Sequence, residues 1–283
     1  MNDLELMTLP GWKQRDMVVG GEISSRELVE ASFRRIKTID GQLYAFLTLD
    51  PDGAYKAADA ADTAVAASSD PARELGPFHG VPISIKDLEL TKGLRTTLGC
   101  KVYEEWIPDY DSSVVERVRA SGAIIVGKTQ TPEFGNAAES YNKVGPATNN
   151  PWNVDRTAGG SSGGAGASVA AGMVSIATGT DGGGSVRIPC AWNGIFGIKG
   201  TLGRIPRYGG VSNPAPNQTS STGPMTRYVK DTAIMMEALS GHDVRDTSSL
   251  RIPAPDLLST LEDGVKGMKI GWSINLGLAP AEP

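Results

Sequence analysis

The order of apolar and polar positions divides the chain into short strands and amphipathic helices. Val81–Lys86 (VPISIK) is a β-branched run bounded by Gly80 and Asp87, and Ala123–Val126 (AIIV) is a second apolar run. Both predict buried strands. Ser24-Ser25-Arg26-Glu27 has the form of a capping box, with Leu28, Val29, Ala31, Phe33 and Ile36 following at helical spacing. A helix therefore starts there, and Gly41 is expected to end it. Further helices are predicted over Gly53–Ala67, Ser112–Ala120 and Val229–Ser240, with a polar surface loop over Ser68–Gly76 and another loop over Pro146–Pro151. Ile195–Lys199 and Lys269–Trp272 are additional apolar runs. Strands alternating with helices predict an α/β fold whose mixed, largely parallel central sheet is flanked by helices. No repeat or linker divides the chain. It reads as a single domain over 1–283, with an N-terminal helical part (1–75) and an α/β core (76–283). Met268–Leu278 (MKIGWSINLGL) reads as a core strand leading onward, followed only by Ala-Pro-Ala-Glu-Pro. A strand left there would expose a sheet edge, so the fold is expected to be incomplete at its C-terminus.

One stretch breaks the pattern. Gly159–Arg187 (GGSSGGAGASVAAGMVSIATGTDGGGSVR) holds 10 of the 35 glycines and only two charges, Asp181 and Arg187. Glycine costs folding entropy, so such a concentration implies close approach of backbone to something. Ala165–Met173 reads as a helix with tiny side chains and Val174–Thr178 as a buried strand. That places the Gly-Gly-Ser-Ser-Gly-Gly turn at a helix N-terminus and the Asp-Gly-Gly-Gly-Ser turn at a strand end. Backbone N–H groups meet ligands at such places.

Composition narrows the chemistry. With a net charge of −5 and no basic block, the chain is not expected to bind nucleic acid. Two cysteines, Cys100 and Cys190, cannot form a disulfide framework and read as reduced and buried. The start, MNDLEL, lacks the basic and apolar regions of a signal peptide, and no run of 18 uncharged apolar residues occurs. A cytoplasmic protein without membrane contact is the expectation. Histidines number two, His79 and His242, which leaves almost no material for a histidine base or a metal-ligand set.

Three familiar patterns fit on paper. Gly122–Thr129 (GAIIVGKT) matches the phosphate-loop spacing, but its intervening residues form strands and Pro132 follows where a helix should run. Gly159–Gly163 matches a nucleophile elbow, whose later histidine could only be His242, in a polar turn. Ser140–Lys143 matches Ser-x-x-Lys without the companion elements of that class.

Without histidine, a buried serine needs a neutral lysine or a metal to activate it, and no His, Cys or carboxylate cluster has metal-ligand spacing. Lys86, at the end of an apolar strand, is the candidate base. Its pKa must fall from about 10.4 to nearer 7–8, a change of roughly 4 kcal/mol that burial beside uncharged glycines and serines supplies.

The blocks Gly80–Asp87 (GVPISIKD), Gly159–Gly164 (GGSSGG) and Thr180–Pro189 (TDGGGSVRIP) resemble those of the amidase signature family. Lys128–Phe134 (KTQTPEF) and Gly223–Thr226 (GPMT) are also similar to its sequences, and the resemblance runs from about Ser24 to the C-terminus. It implies hydrolysis of amides through an acyl-enzyme by a Ser–cis-Ser–Lys triad, with no metal or cofactor. By position, Ser185 is then the nucleophile, Ser161 the bridging serine with the cis peptide, and Lys86 the general base. The N–H groups of Gly182, Gly183 and Gly184 are expected to form an oxyanion hole, each donor worth about 3 kcal/mol in the transition state. Ser162 is expected to be a supporting hydrogen-bonder, and Asp181 and Arg187 to pair and fix the loop. The family usually carries a larger residue where Gly182 stands, and continues through a long C-terminal region. Tyr208–Ser221 does not resemble the A-type subunit of the tRNA-dependent amidotransferases, so a free-standing amidase ranks above an A-type subunit working within a complex. A non-catalytic fragment needing a C-terminal half is the other alternative. The expected substrate is a small amide, anilide, ester or carbamate, with aryl-acylamidase-like and urethane-cleaving members as the nearest likeness. A homodimer or a C-terminal companion segment is the expected partner.

Overall fold

A computed structural model of the chain describes residues 1–209, 219–274 and 277. The chain opens with three helices, α1 (Asp3–Met7), α2 (Gly11–Val19) and α3 (Ser25–Leu43), followed by strand β1 (Phe46–Leu49) and helix α4 (Pro51–Ala67). Ser24 caps α3 as its spacing predicts: its hydroxyl accepts the Glu27 N–H, and the Glu27 carboxylate accepts the Ser24 N–H. The helix runs past Gly41 to Leu43, and Tyr44 ends it in the left-handed region at φ 51°. Complete burial of Leu43 offsets the roughly 1 kcal/mol that a mid-helix glycine costs. A single helical turn, α5 (Pro71–Glu74), interrupts the stretch expected to be loop.

The core follows as β2 (Pro82–Lys86), α6 (Ser113–Ala120), β3 (Ile124–Thr129), β4 (Asn149–Asn150), β5 (Asn153–Thr157), α7 (Gly163–Ala170), β6 (Ile176–Asp181), α8 (Arg187–Asn193), β7 (Phe196–Gly197), β8 (Ser221–Thr226) and α9 (Val229–Leu239). β4 and β5 form a small ribbon, so the loop expected over residues 146–151 carries a two-residue strand. The main sheet has the order β1-β3-β2-β6-β8-β7. It is mixed, as expected: β3, β2 and β6 run parallel at the centre, and antiparallel neighbours flank them on both sides.

Alternation along β2 sends Ile83 and Ile85 into one apolar cluster with Val114, Val115 and Val118 of α6 and Met235 of α9. Ser84 and Lys86 then point to the other face, where the Ser84 hydroxyl lies 3.0 Å from that of Ser168 on α7. Helices α3, α4 and α7 cover that second face through Val29, Ile36, Ala58 and Ala167. α7 comes close because its residues are small. A Cβ on Gly164 would stand 2.4 Å from both the Ala45 carbonyl and the Gln130 nitrogen.

The strand expected over Met268–Leu278 is corrected. Residues 251–274 contain no helix or strand, and Val265, Met268, Ile270, Trp272 and Ile274 are exposed. Lys269–Trp272 is therefore not a core strand, and no strand among the described residues pairs with it. Positions 275, 276 and 278 of the predicted strand lie outside the described residues, as do positions 210–218 of the Tyr208–Ser221 stretch. No described helix is long and apolar enough to cross a membrane.

Candidate active site

The C-terminal ends of β2 and β6 and the N-terminus of α7 meet at one point. β2 delivers Lys86, the turn before α7 delivers Ser161 and Ser162, and β6 delivers Thr180 and Asp181 before the loop Gly182–Ser185. Lys86 is fully buried, and its Nζ lies 2.6 Å from Ser161 Oγ, 2.8 Å from Ser162 Oγ and 2.9 Å from Thr180 Oγ1. Burial pushes its pKa down to about 7, against the opposing pull of the Glu89 and Asp181 charges. An amine at that pKa is substantially neutral near pH 7 and has a lone pair for a hydroxyl proton. The Gly160–Ser161 peptide is cis.

Ser162 is more closely involved than expected. Besides meeting Lys86, its hydroxyl lies 3.3 Å from both the carbonyl and the N–H of Thr180. Its own N–H donates to the Ser185 carbonyl at 3.3 Å, joining the two serine-bearing loops. Thr180 is the residue that sequence reasoning missed. Its position at the end of a strand, directly before Asp181, was the available signal.

Asp181 organises the loop. Its carboxylate accepts N–H groups from Gly184 (2.7 Å), Val186 (3.2 Å) and Arg187 (3.3 Å), and two guanidinium bonds from Arg187 (2.9 and 3.0 Å). Burial alone would raise its pKa. The Arg187 bonds and the three backbone donors outweigh that and hold the carboxyl well below the usual range. The expected pairing of Asp181 with Arg187 is thus present. One expectation changes: the Gly184 N–H donates to Asp181 Oδ1 and so is not a free oxyanion donor in this arrangement. Gly182 and Gly183 are exposed, and Ser185 beside them is half-buried.

A cavity of about 650 Å³ is lined by Pro132, Glu133, Phe134, Asn136, Tyr141 and Asn142 among others. Gly135, which lies in the chain between Phe134 and Asn136 of that lining, is next to Ser161: a Cβ on it would stand 3.3 Å from Ser161 Oγ. Phe134 in turn meets Tyr103 edge-on at 6.3 Å between centroids, and Tyr103 meets Trp106 at 5.5 Å.

The paper motifs fall away. Lys128 is not at a phosphate loop. It lies fully buried in β3, with Nζ bonded to the Glu89 carbonyl, Thr91 Oγ1 and Thr96 Oγ1, and 3.8 Å from Asp87. His242 is exposed, and its carbonyl accepts from Arg117. Ser140 supports the turn, its hydroxyl accepting the Gly163 N–H at 2.8 Å. Both cysteines are free and buried, and burial with the nearby Asp181 charge pushes the Cys190 thiol up to about 12. Among the described residues, no group of three or more His, Cys, Asp or Glu side chains is placed to hold a metal ion.

The profile of the family described as Amidase matches residues 27–283. The A-type subunit of the glutamyl-tRNA(Gln) amidotransferase from Anaeromyxobacter sp. (strain K) is 46% identical over 254 residues, covering 90% of this chain and 50% of its own length. Among solved structures, a bacterial aryl acylamidase of the amidase signature family superposes with a TM-score of 0.86 at 36% identity, over 96% of this chain and 55% of that one. The corresponding amidotransferase subunit from Thermotoga maritima gives 0.74 at 33%, over 95% and 52%. The chain thus spans about half the length of the relatives it matches. A buried lysine held among hydroxyls and a family match over nine-tenths of the sequence lead to one conclusion: this chain belongs to the amidase signature family.

Proposed function

We propose that this chain hydrolyses a carboxylic amide through an acyl-enzyme on Ser185. The observation that carries the reading is the buried Lys86 amine held 2.6 Å from Ser161 in surroundings that favour its neutral form. In this mechanism neutral Lys86 takes the Ser161 proton as Ser161 takes that of Ser185. The Ser185 Oγ attacks the amide carbonyl carbon, and the resulting oxyanion is met by the Gly182 and Gly183 N–H groups. Gly184, bonded to Asp181, holds the loop in shape. The proton returns along the same path to the leaving nitrogen, the C–N bond breaks, and water repeats the sequence to release the acid. Phe134 and Tyr141 at the neighbouring cavity favour an aromatic substituent, so anilides rank first and aryl esters and carbamates next.

Labelling with a fluorophosphonate, read by peptide mass spectrometry, tests the assignment. Modification at Ser185, abolished in Ser185→Ala, is expected. Modification at Ser161 instead overturns it. A substrate panel of anilides, aliphatic amides, carbamates and esters then reads the class, with Ser185→Ala as control.

The 46% identity to an A-type amidotransferase subunit favours a second reading, in which the same serine releases ammonia from a primary amide for use within a complex. Ammonia release from glutamine without turnover of any anilide decides for that reading.

A further inference from the structure

Lys86 has a buried counter-charge that reaches it across a strand pair and not by contact. Glu89, three residues on, is 4% exposed, and its N–H donates to the Lys86 carbonyl at 3.0 Å, closing the turn after β2. Its side chain joins two further elements. Oε2 accepts the hydroxyl of Ser112, which caps α6, at 2.9 Å, and Oε1 accepts that of Thr222 on β8 at 3.2 Å. Thr222 lies directly opposite Thr180 across β8 and β6, and Thr180 Oγ1 is a partner of Lys86 Nζ. Directly opposed residues of an antiparallel pair have Cβ atoms about 4.5–5.5 Å apart. Two threonines therefore stand between the Glu89 carboxylate and the Lys86 amine.

The neighbouring carboxylates have partners of their own. Asp87, in the same turn, lies 3.8 Å from Lys128 on β3, and Asp181 on β6 binds Arg187 at 2.9 Å. Asp111, before α6, binds Arg119 at 2.9 Å, and Asp246 accepts the Arg207 N–H at 2.8 Å and the Ser248 hydroxyl at 2.7 Å. The turn before α7 brings the uncharged hydroxyls of Ser161 and Ser162. Glu89 differs in that two neutral hydroxyls hold its carboxylate, so no cation cancels its charge on contact. Its field falls on the buried cations around it, Lys86, Lys128 and Arg207, and favours the charged form of each. Burial works the other way on Lys86, and an amine stripped of every counter-charge would be too weak a base for a serine proton. We infer that Glu89 is a positioning residue for catalysis: its charge, acting across Thr222 and Thr180, keeps Lys86 basic enough to take the Ser161 proton. This inference rests on the role of Lys86 in the proposed mechanism.

Glu89→Gln tests it, because the amide keeps an acceptor and a donor for the two hydroxyls while the charge is removed. The rate of Ser185 modification by a fluorophosphonate is measured against pH on both proteins. In the variant the midpoint is expected to fall by about half a pH unit or more, raising the rate at pH 6 relative to that at pH 9 about threefold. A uniform fall in rate with the midpoint unmoved marks a merely structural tie and overturns the inference. Titration of Lys86 itself is read without catalysis from its Cε signal in protein carrying carbon-13 lysine, assigned by its loss in Lys86→Met. A Cε midpoint lowered in Glu89→Gln supports the inference, and an unmoved one overturns it. Failure of wild-type Ser185 to take the label counts separately against the acyl-enzyme reading. If Glu89→Gln does not fold, Glu89→Met, of similar volume and uncharged, is read in the same two ways. Where neither folds, the Glu89 carboxyl carbon of the wild type is followed by NMR. A carboxylate ionised from pH 6 to 8, whose signal moves with the Lys86 titration, supports the inference; a protonated or unresponsive one overturns it.

Discussion

Lys86 sets the pH behaviour of the site. Its pKa of about 7 lies below that of an unfolded lysine near 10.4, so the amine is protonated below pH 7 and neutral above it. Activity is expected to rise with pH through about 7, as a plot of log kcat/KM will show. The same shift has a stability consequence. Between about pH 7 and 10.4 the unfolded chain binds more protons at this residue than the folded one, so its contribution is fully present above 10.4 and is lost as pH falls through 7. Lys86→Met should therefore be inactive yet gain on wild type in melting temperature at pH 6, with the gap narrowing toward pH 9. Thr180 tunes the same group. It accepts from Nζ at 2.9 Å and so favours the ammonium. In Thr180→Val the activity midpoint should move below 7, which a pH profile reads directly.

At the scale of elements, the loop after β6 depends on Asp181 more than on its ion pair. The Arg187 side chain is 58% exposed, whereas that of Asp181 is fully buried. An exposed partner contributes at most about 1 kcal/mol, while hydrogen bonds to a buried carboxylate are worth about 1.5–3 kcal/mol each. Urea unfolding should show Asp181→Asn destabilised by more than about 1.5 kcal/mol, with kcat down about a hundredfold, and Arg187→Ala destabilised by less, about 1 kcal/mol. Tight packing at α7 makes a similar demand: Gly164→Ala drives a methyl into two backbone atoms at 2.4 Å and should cost about 3 kcal/mol or more. Much of this was legible beforehand. Ile83 and Ile85 alternate with Ser84 and Lys86, so β2 and the direction of its lysine follow from period two. β8 was not legible, because Gly223 and Pro224 argue against a central strand. Gly223 is required there, since the Ile198 carbonyl would lie 1.9 Å from any Cβ. α8 was hidden by Pro189, which is tolerated because it lies in the first turn, where N–H groups have no helical partner. Nor did spacing show that Gly184 would turn its N–H toward Asp181. That depends on how the loop closes.

The molecule as a whole divides into a packed core and a C-terminal stretch that packs little. The sheet is covered on both faces by helices, yet Val265, Met268, Ile270, Trp272 and Ile274 are each 64–81% exposed. Adjacent exposed apolar side chains of this kind mark a surface for association. Native mass spectrometry is expected to find a species heavier than 29.7 kDa, and a monodisperse monomer with full turnover would count against it. The core has the opposite property. Lys86 and Lys128 have the low pKa values, about 7 and 8, that make amines quick to acylate, and neither has any exposed surface. Acetic anhydride applied to the native protein should therefore modify the ordinary solvated lysines and spare these two. Their tryptic peptides should gain the acetyl mass only after the chain is opened with denaturant.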